Sequence, residues 1–221
     1  MLTAWAGLDQ HSAHGTGMVA VMFTALVGVL VYGKGSAVDL TSAVQIAIVM
    51  LPATIVSARY SKRVSASRLR RYFGSFVVLA ALILPFRDLV GHGGLILGGG
   101  LPAMFAIGLG GGIVSGLLGV GGGSVVVPCL VLVTGFSQQL AQGTSLAVIL
   151  PSSAAGAVEH GRIGHVRGRV LPPVLVGTLF GSWVGGEAAL ALPGQTLRII
   201  FSVVLLAMGT RFIARSVNGD R

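Results

Sequence analysis

A glycine-rich interruption of an apolar stretch is the part of the sequence that most clearly could bind a ligand. The stretch runs from Gly108 to Pro128 and reads GLGGGIVSGLLGVGGGSVVVP. A glycine inside a helix costs up to about 1 kcal/mol relative to alanine, so the clustered glycines predict a helix break. A break exposes backbone N–H groups and the positive end of the next helix dipole, which suits an anion. The residues that would hold the anion are Gly119, Gly121, Gly122, Gly123 and Ser124.

Hydroxyl side chains in two other segments are candidates to complete the same anion site. Thr144 and Ser145 begin a later apolar segment, and Thr16 is the earlier counterpart of Thr144. Such hydroxyls would bind an anion without burying a counter-charge. The alternatives are helix capping or a bond to the preceding turn for the hydroxyls, and close helix packing for the glycines. The sequence leaves these interpretations open.

Signatures of enzymatic and metal chemistry are absent from the sequence. It contains no H-E-x-x-H, no G-x-S-x-G and no GxxxxGK[ST] pattern, which are common marks of zinc, serine and nucleotide chemistry. Cys129 is the single cysteine, and the histidines lack metal-ligand spacing. An internal disulfide and a thiolate zinc site are therefore excluded. We predict no enzymatic activity, no cofactor and no metal site.

The composition places the chain in a membrane. Of 221 residues, 53% are hydrophobic and only 10% charged, and the net charge is +9. The mean hydropathy of +0.89 excludes an ordinary soluble domain. The positive residues cluster in short loops, which is typical of the cytoplasmic side of membrane proteins and not of a nucleic-acid surface. We expect a multi-pass inner-membrane protein whose partners are the lipid bilayer and a small anion, with no nucleic acid; a homo-oligomer stays open.

The apolar segments predict an all-α polytopic protein with about seven or eight hydrophobic segments, one of them broken by glycine. Residues 59–71 carry six basic residues and are predicted to form a cytoplasmic loop. Segment 124–133 is shorter than the ~20 residues that span a bilayer, so we expect a half-helix there. The predicted segments are 15–32, 41–58, 72–89, 101–118, 124–133, 144–158, 170–190 and 197–212.

An internal repeat divides the chain into two halves. At a constant offset of 128, matched positions include Gln10 with Gln138, Thr16 with Thr144, Gly28 with Gly156, and Arg70 with Arg198. The loop charges predict that the halves are inverted, a plan in which transporters place the substrate at the repeat interface. We therefore expect a first repeat over 1–90 and a second over 101–214, within one integral membrane domain, 1–221.

The repeat also predicts that one element is missing. The partner of the glycine run would fall before Met1, and Met1 itself aligns with Cys129, directly after Pro128. We expect a chain that lacks the start of its first repeat, including that repeat's glycine element.

The order of four motifs resembles the TauE/SafE family of sulfite exporters. They are GLLGVGGGSVVVPCLVL, AQGTSLAVI, a small-residue helix ending EHGRIGHV, and LRIIFSVVLLAMG. The resemblance covers nearly all of 101–214 and, more weakly, 7–90. It implies an inner-membrane protein that moves sulfite, sulfonates or related anions outward, coupled to an ion gradient. The sequence departs from the pattern in the missing glycine element and in Thr16-Gly17, where the second repeat has Thr144-Ser145.

These observations predict a secondary transporter that exports a small anion such as sulfite or an organosulfonate. The alternative is a degenerate or accessory membrane protein that transports nothing and assembles with a partner. The two differ in whether the anion stabilises the folded chain, because a ligand that binds only the folded state must do so.

Overall fold

A computed structural model describes residues 10–60, 65–87, 100–118, 122–162 and 170–218, which form an all-α protein. The fold class predicted from the sequence is confirmed, and the described residues contain no strand. A 3₁₀ turn, Leu84–Phe86, follows the third helix. The helices are α1 (Gln10–Lys34), α2 (Leu40–Tyr60), α3 (Ala66–Ile83), α4 (Leu101–Leu118), α5 (Gly123–Val133), α6 (Gln138–Arg162), α7 (Leu171–Ala191) and α8 (Gly194–Asn218).

The described helices have the lengths and the surface of a membrane bundle. Six of them are long and apolar enough to cross a bilayer: α1, α2, α3 with its 3₁₀ turn, α4, α7 and α8. Helix α5 has only 11 residues, about 16 Å, and is too short to cross. Large side chains such as Tyr72 and Phe180 are exposed on the outside of the bundle, as expected of a lipid-facing surface. The chain is an integral, multi-pass membrane protein.

The boundaries predicted for the basic stretch and for the start of α6 are wrong. The basic stretch 59–71 is not all loop, because α2 continues to Tyr60 and α3 begins at Ala66. Polar and basic residues extend helices beyond their apolar part, and hydropathy detects only that part. For the same reason α6 begins at Gln138, and Thr144 lies inside the helix instead of starting it.

Glycines set the distance between α2 and α4. A Cβ added to Gly108 would lie 2.6 Å from the Ile46 carbonyl oxygen, and one added to Gly112 would lie 2.6 Å from that of Met50. Gly116 approaches Ser57 and the Thr54 carbonyl oxygen in the same way. The three positions are four residues apart, so they form one stripe along α4. This small-residue packing brings the two backbones together.

Helices that the repeat predicts to be equivalent pack against each other. The bounds of α1 and α6 differ by the repeat offset, and so do the starts of α3 and α8. Helix α1 packs on α6, and α3 packs on α8. At the second contact, a Cβ on Gly74 would lie 3.0 Å from the Gly209 carbonyl oxygen, and one on Gly209 would lie 3.0 Å from that of Gly74. The helix bounds thus agree with the offset; the inversion of the halves stays a prediction.

The core lies where α5 meets the surrounding long helices. Its apolar cluster takes residues from α2, α3, α4, α5, α6 and α8. The largest fully buried apolar side chains of this cluster are Ile46, Leu84, Met104, Leu130 and Leu205. The short helix is therefore enclosed by protein, which allows its backbone to be interrupted at membrane depth.

Candidate functional site

The start of α5 is the predicted helix break. Gly122 is the N-cap residue, with φ −69° and ψ −14°. Because glycine has no side chain, no side-chain hydrogen bond caps the helix. Its carbonyl oxygen accepts hydrogen bonds from the N–H groups of Val125 at 3.0 Å and Val126 at 2.9 Å. The first N–H groups of any helix have no acceptor inside that helix and carry its positive dipole end. Gly119 and Gly121 lie outside the described residues.

Two other helices enclose this start. A Cβ added to Gly122 would overlap the terminal methyl group of Met50 on α2. A Cβ added to Gly123 would lie 3.0 Å from Cδ1 of Ile149 and 3.4 Å from Oγ of Ser145, both on α6. The end of the Met50 side chain thus lies directly over Gly122, while Ser145 faces the first turn of α5. The structure brings Gly122, Gly123 and Ser145 together.

The Ser145 hydroxyl differs from its neighbours in how it is bonded. Ser152 and Ser153 of the same helix donate to carbonyl oxygens three residues earlier, at 2.7 and 3.0 Å. Ser145 is 3% exposed, yet it takes part in none of the side-chain hydrogen bonds between described residues. Ser145 therefore keeps its donor and acceptor capacity beside the helix start.

Ser124 lies inside α5 and does not cap it. Helix α5 begins at Gly123 with Gly122 as its cap, so Ser124 is the second helical residue and not the N-cap. Gly122 has right-handed helical φ and ψ, which any residue can adopt, so the conformation of the cap does not itself require glycine. Ser124 remains in the first turn, half-buried, within the segment that the anion prediction singles out.

Thr144 is fully buried and is bonded to another helix start. Its Oγ1 accepts a hydrogen bond from the backbone N–H of Asp39 at 3.0 Å. The Asp39 carboxylate in turn caps α2, accepting from the N–H of Thr41 at 3.0 Å and from the Ser42 hydroxyl at 2.7 Å. The hydroxyl that the sequence proposes as an anion ligand thus already connects α6 to α2.

Thr16 lies far from Thr144 along the bundle. On the contact between α1 and α6, Gly28 lies against Leu146, and the Tyr32 hydroxyl donates to Gln142 at 2.7 Å. These pairs define antiparallel packing. Continued along α1, it places Thr16 level with Val158, about 21 Å along the helix from Thr144. Thr16 is fully buried, but the structure does not bring it together with Thr144 and Ser145.

Gln138 is a polar residue that the sequence interpretation did not select. Its side chain is 1% exposed, and neither its amide nitrogen nor its amide oxygen has a hydrogen-bond partner among the described residues. It begins the buried stripe of α6 that continues through Ala141, Ser145 and Val148. It therefore lies on the same helix face as Ser145, two turns away. An unsatisfied buried amide is rare and calls for an explanation, such as a ligand.

Arg198 on α8 is the second residue that was missed. Its side chain is 6% exposed, and it is the only charged side chain among the buried residues that the structure describes. A basic residue enclosed in a membrane bundle is expensive and marks a functional position by default. One signal was available in the sequence, because the repeat offset pairs Gln10 with Gln138 and Arg70 with Arg198. Arg70 is exposed, so the pairing alone could not indicate which arginine is buried.

Comparison with known protein families identifies the family to which the chain belongs. The model of the sulfite exporter TauE/SafE family matches residues 1–212. The chain belongs to the TauE/SafE family. The family is described as one of sulfite exporters, which are membrane transporters.

Two curated relatives of this TauE/SafE chain are named as probable membrane transporters. It is 29% identical over 222 residues to the probable membrane transporter protein YunE of Bacillus subtilis, covering 93% of this chain and 81% of the relative. It is 21% identical over 202 residues to the probable membrane transporter protein YdhB of the same organism, covering 90% and 82%. No solved structure gives a significant match.

Among the described residues of this TauE/SafE chain, no group of three or more His, Cys, Asp or Glu residues could hold a metal ion. Besides other buried serine and threonine hydroxyls such as that of Thr144, the interior contains the α5 start, Ser145, Gln138 and Arg198. They are hydrogen-bond donors and one positive charge, with no buried carboxylate among the described residues. This chemistry matches an anion better than a cation.

Proposed function

We propose that the chain is a secondary transporter that exports a small oxyanion, such as sulfite or an organosulfonate. The observation that carries the proposal is the start of α5, which lies inside the bundle with Ser145 beside it. Backbone N–H groups at a helix start bind oxyanions without a dedicated counter-ion. Gly122 and Gly123 supply this start, and the Ser145 hydroxyl donates to one oxygen of the anion.

The charge distribution supports the same ligand class. Arg198 is the one charged side chain among the buried residues that the structure describes, and it contributes a positive charge to the interior. In a medium of low effective dielectric constant, one charge acts over a longer distance than it does in water. We assign Arg198 the role of raising the local anion concentration in the bundle, while the helix start supplies the direct contacts.

Dipoles and hydroxyls also suit release of the anion. Transport requires binding that is favourable enough for entry and weak enough for exit. A site made of N–H groups and one hydroxyl binds less tightly than a buried ion pair with ideal geometry would. Met50 covers Gly122 in this conformation, and a shift of α2 against α5 would uncover the site. Such a shift is the movement of one repeat against the other that alternating access needs.

The proposal is tested with purified chain in liposomes loaded with radiolabelled sulfite. Ser145→Ala removes the hydroxyl beside Gly123 and should raise the KM for sulfite about tenfold, the effect of one hydrogen bond to a charged group. Ser153→Ala is the matched control, because both serines are 3% exposed and Ser153 donates to its own helix. Its KM should equal that of the wild type. Equal KM values for all three proteins would remove the α5 start from the mechanism.

A second pair of variants tests the charge. Arg198→Met should lower the transport rate at subsaturating sulfite at least tenfold, whereas Arg70→Met should leave it unchanged, because Arg70 is exposed. If sulfite-loaded vesicles with the wild-type protein lose sulfite no faster than sulfite-loaded vesicles without protein, the export proposal is overturned. The accessory role would then stand in its place.

A further inference from the structure

We propose that Gln138 and Arg198, with Arg87 at the rim, form a second oxyanion site at the end of the bundle where α6 and α8 begin. These three side chains are here called the outer polar cluster. The inference rests on the proposed function for the identity of the ligand, which is taken to be the transported anion. It adds a second binding position on the route of that anion, separate from the α5 start.

The starts of α6 and α8 lie against each other. The Gln139 amide nitrogen donates to the Leu192 carbonyl oxygen at 3.1 Å, and a Cβ on Gly194 would lie 3.5 Å from Oε1 of Gln139. Gln138 directly precedes Gln139, and Arg198 lies one turn beyond Gly194 on the same side of α8. Gln138 and Arg198 therefore lie at the same end of the bundle.

Gln138 and Arg198 also face the same interior. Ala141 and Val148 continue the stripe of Gln138 along α6, and both belong to the central apolar cluster. Leu205, two turns beyond Arg198 on α8, belongs to it as well. The side chains of Gln138 and Arg198 are 1% and 6% exposed. They thus close one end of the apolar cluster with polar groups.

Arg87 brings a second guanidinium group to this end. It follows the 3₁₀ turn Leu84–Phe86, which packs on α8. Its guanidinium donates a hydrogen bond to the carbonyl oxygen of Gly135, in the turn just before Gln138. Gly135 has a φ of 77°, which glycine adopts without strain. The bond uses one of the five N–H donors of the guanidinium, and Arg87 is half-buried. Arg87 therefore lies between the buried pair and the end of the bundle.

The Gln138 amide is the observation that points to a ligand. Its nitrogen and its oxygen are both buried, and neither has a hydrogen-bond partner within the part of the chain that the structure describes. The neighbouring Gln139 is bonded to Leu192, so the α6 start does not by itself leave an amide unsatisfied. An amide offers N–H donors and an oxygen acceptor. Hydrogensulfite in its O-protonated form offers an oxygen to the nitrogen and a hydroxyl to the amide oxygen.

The charges at this end favour an anion. The outer polar cluster contains two guanidinium groups and no carboxylate. The first N–H groups of α6 add the positive end of its helix dipole. The described carboxylates on neighbouring elements have other surroundings, because Asp39 caps α2 and Glu187 is exposed. A guanidinium and an amide nitrogen that face one interior provide the donors that an oxyanion needs.

The outer polar cluster lies on the side to which an exporter releases its anion. Helix α3 begins in the basic stretch 59–71, which is predicted to be cytoplasmic, and Arg87 follows the opposite end of this span. Gln138 lies on the face of α6 that carries Ser145, about 10 Å further out along the helix. An anion that leaves the α5 start would reach the cluster next. Passage through several weak sites combines favourable entry with release.

A sulfite titration followed at the Gln138 amide tests the site directly. The purified chain is isotope-labelled on its glutamine side chains, and the NMR signals that disappear in Gln138→Met identify the Gln138 amide. We expect these signals to move with added sulfite, while those of Gln139, bonded to Leu192, stay in place. Arg198→Met should raise the Kd read from the Gln138 signals about tenfold, the effect of one hydrogen bond between charged groups. Arg70→Met, which changes an exposed arginine, should leave this Kd unchanged.

Gln138 signals that do not respond to sulfite would overturn the proposal, and this result needs no variant to fold. A further comparison separates the site from the α5 start. Ser145→Ala should leave the Kd at Gln138 unchanged, because Ser145 is two helical turns away. If Ser145→Ala raises this Kd as much as Arg198→Met does, the two positions are one site and the proposal of a second one is wrong.

Export from liposomes, measured on the same proteins, distinguishes the failure of this inference from the failure of the proposed function. A chain whose Gln138 signals respond to sulfite but which exports none would overturn the proposed function and support the site. A chain that exports sulfite without any response at Gln138 would support the proposed function and overturn the site.

Discussion

The backbone N–H of Asp39 donates a hydrogen bond to the Thr144 hydroxyl over 3.0 Å, and this bond connects the start of α2 to the interior of α6. Gly143 makes room for it, because a Cβ there would overlap the Ala37 carbonyl oxygen. The two residues lie on different halves of the predicted repeat. The bond therefore holds the start of α2 against α6. The movement that the transport proposal requires takes place further along α2, between Met50 and Gly122.

Removal of the Thr144 hydroxyl should destabilise the chain. Thr144→Val keeps the shape of the side chain but leaves the Asp39 N–H without its acceptor, and an unsatisfied buried donor costs about 1–3 kcal/mol. We expect a lower midpoint of thermal unfolding in detergent. Thr144→Ser keeps the acceptor and should recover most of the loss. An unchanged midpoint in Thr144→Val, together with a raised KM for sulfite, would instead return Thr144 to the anion site predicted from the sequence.

Alanine substitutions at two neighbouring glycines of α4 should change the free energy of unfolding in opposite directions. Gly112→Ala places its Cβ 2.6 Å from the Met50 carbonyl oxygen and 2.7 Å from the Ala53 Cβ. Since backbone atoms cannot move away cheaply, the variant should lose about 1–3 kcal/mol by overpacking. Gly110→Ala meets no neighbour within 4 Å and should gain about 0.5–1 kcal/mol from helix propensity. Thermal unfolding of both variants under one condition is the measurement. Two changes of the same sign would contradict the α2–α4 packing.

The fold could be predicted from the sequence because its determinants are local. Runs of apolar residues specify membrane helices, and the glycine cluster specifies an interruption, so the bounds of α4 and α5 fall within one residue of the predicted segments 101–118 and 124–133. The start of α6 was missed because the polar residues from Gln138 onward are helical without being apolar. Hydropathy reports the environment of a residue, whereas backbone hydrogen bonding decides where a helix begins.

The site could be predicted only in part, because one-dimensional spacing does not show which helix faces meet. Ser145 was selected, and it lies beside Gly123. Its neighbour Thr144 was selected on the same grounds but points to a different contact, since successive helical residues are about 100° apart. Gln138 and Arg198 were overlooked because polar residues near helix ends are usually solvated. Only the packing of α6 and α8 in the bundle shows that both are buried.

Gln138 should be replaceable by an apolar residue with a gain in stability. Its amide is buried, and both polar atoms lack a partner among the described residues, so Gln138→Met removes a desolvation cost of about 1–3 kcal/mol at similar volume. The midpoint of thermal unfolding without added anion should rise. If the amide serves the transported anion, the same variant loses affinity for sulfite. A lower midpoint would show that the Gln138 amide is satisfied in the membrane.

Gly122 and Met50 should behave as a complementary pair. Gly122→Ala places a methyl group where the Met50 side chain ends, so Met50 must adopt another rotamer, and the variant should lose about 0.5–1.5 kcal/mol of stability and slow sulfite export. Met50→Ala, which shortens the opposing side chain, should leave a cavity and also destabilise, by about 2–5 kcal/mol. The double variant should be more stable than the two separate losses predict, because the new methyl group enters the space that Met50 vacates. The coupling energy from the four proteins measures the contact, provided that each single change removes only that contact. Strictly additive losses would show that Met50 does not cover Gly122, and the proposal that a shift of α2 opens the anion site would lose its structural basis.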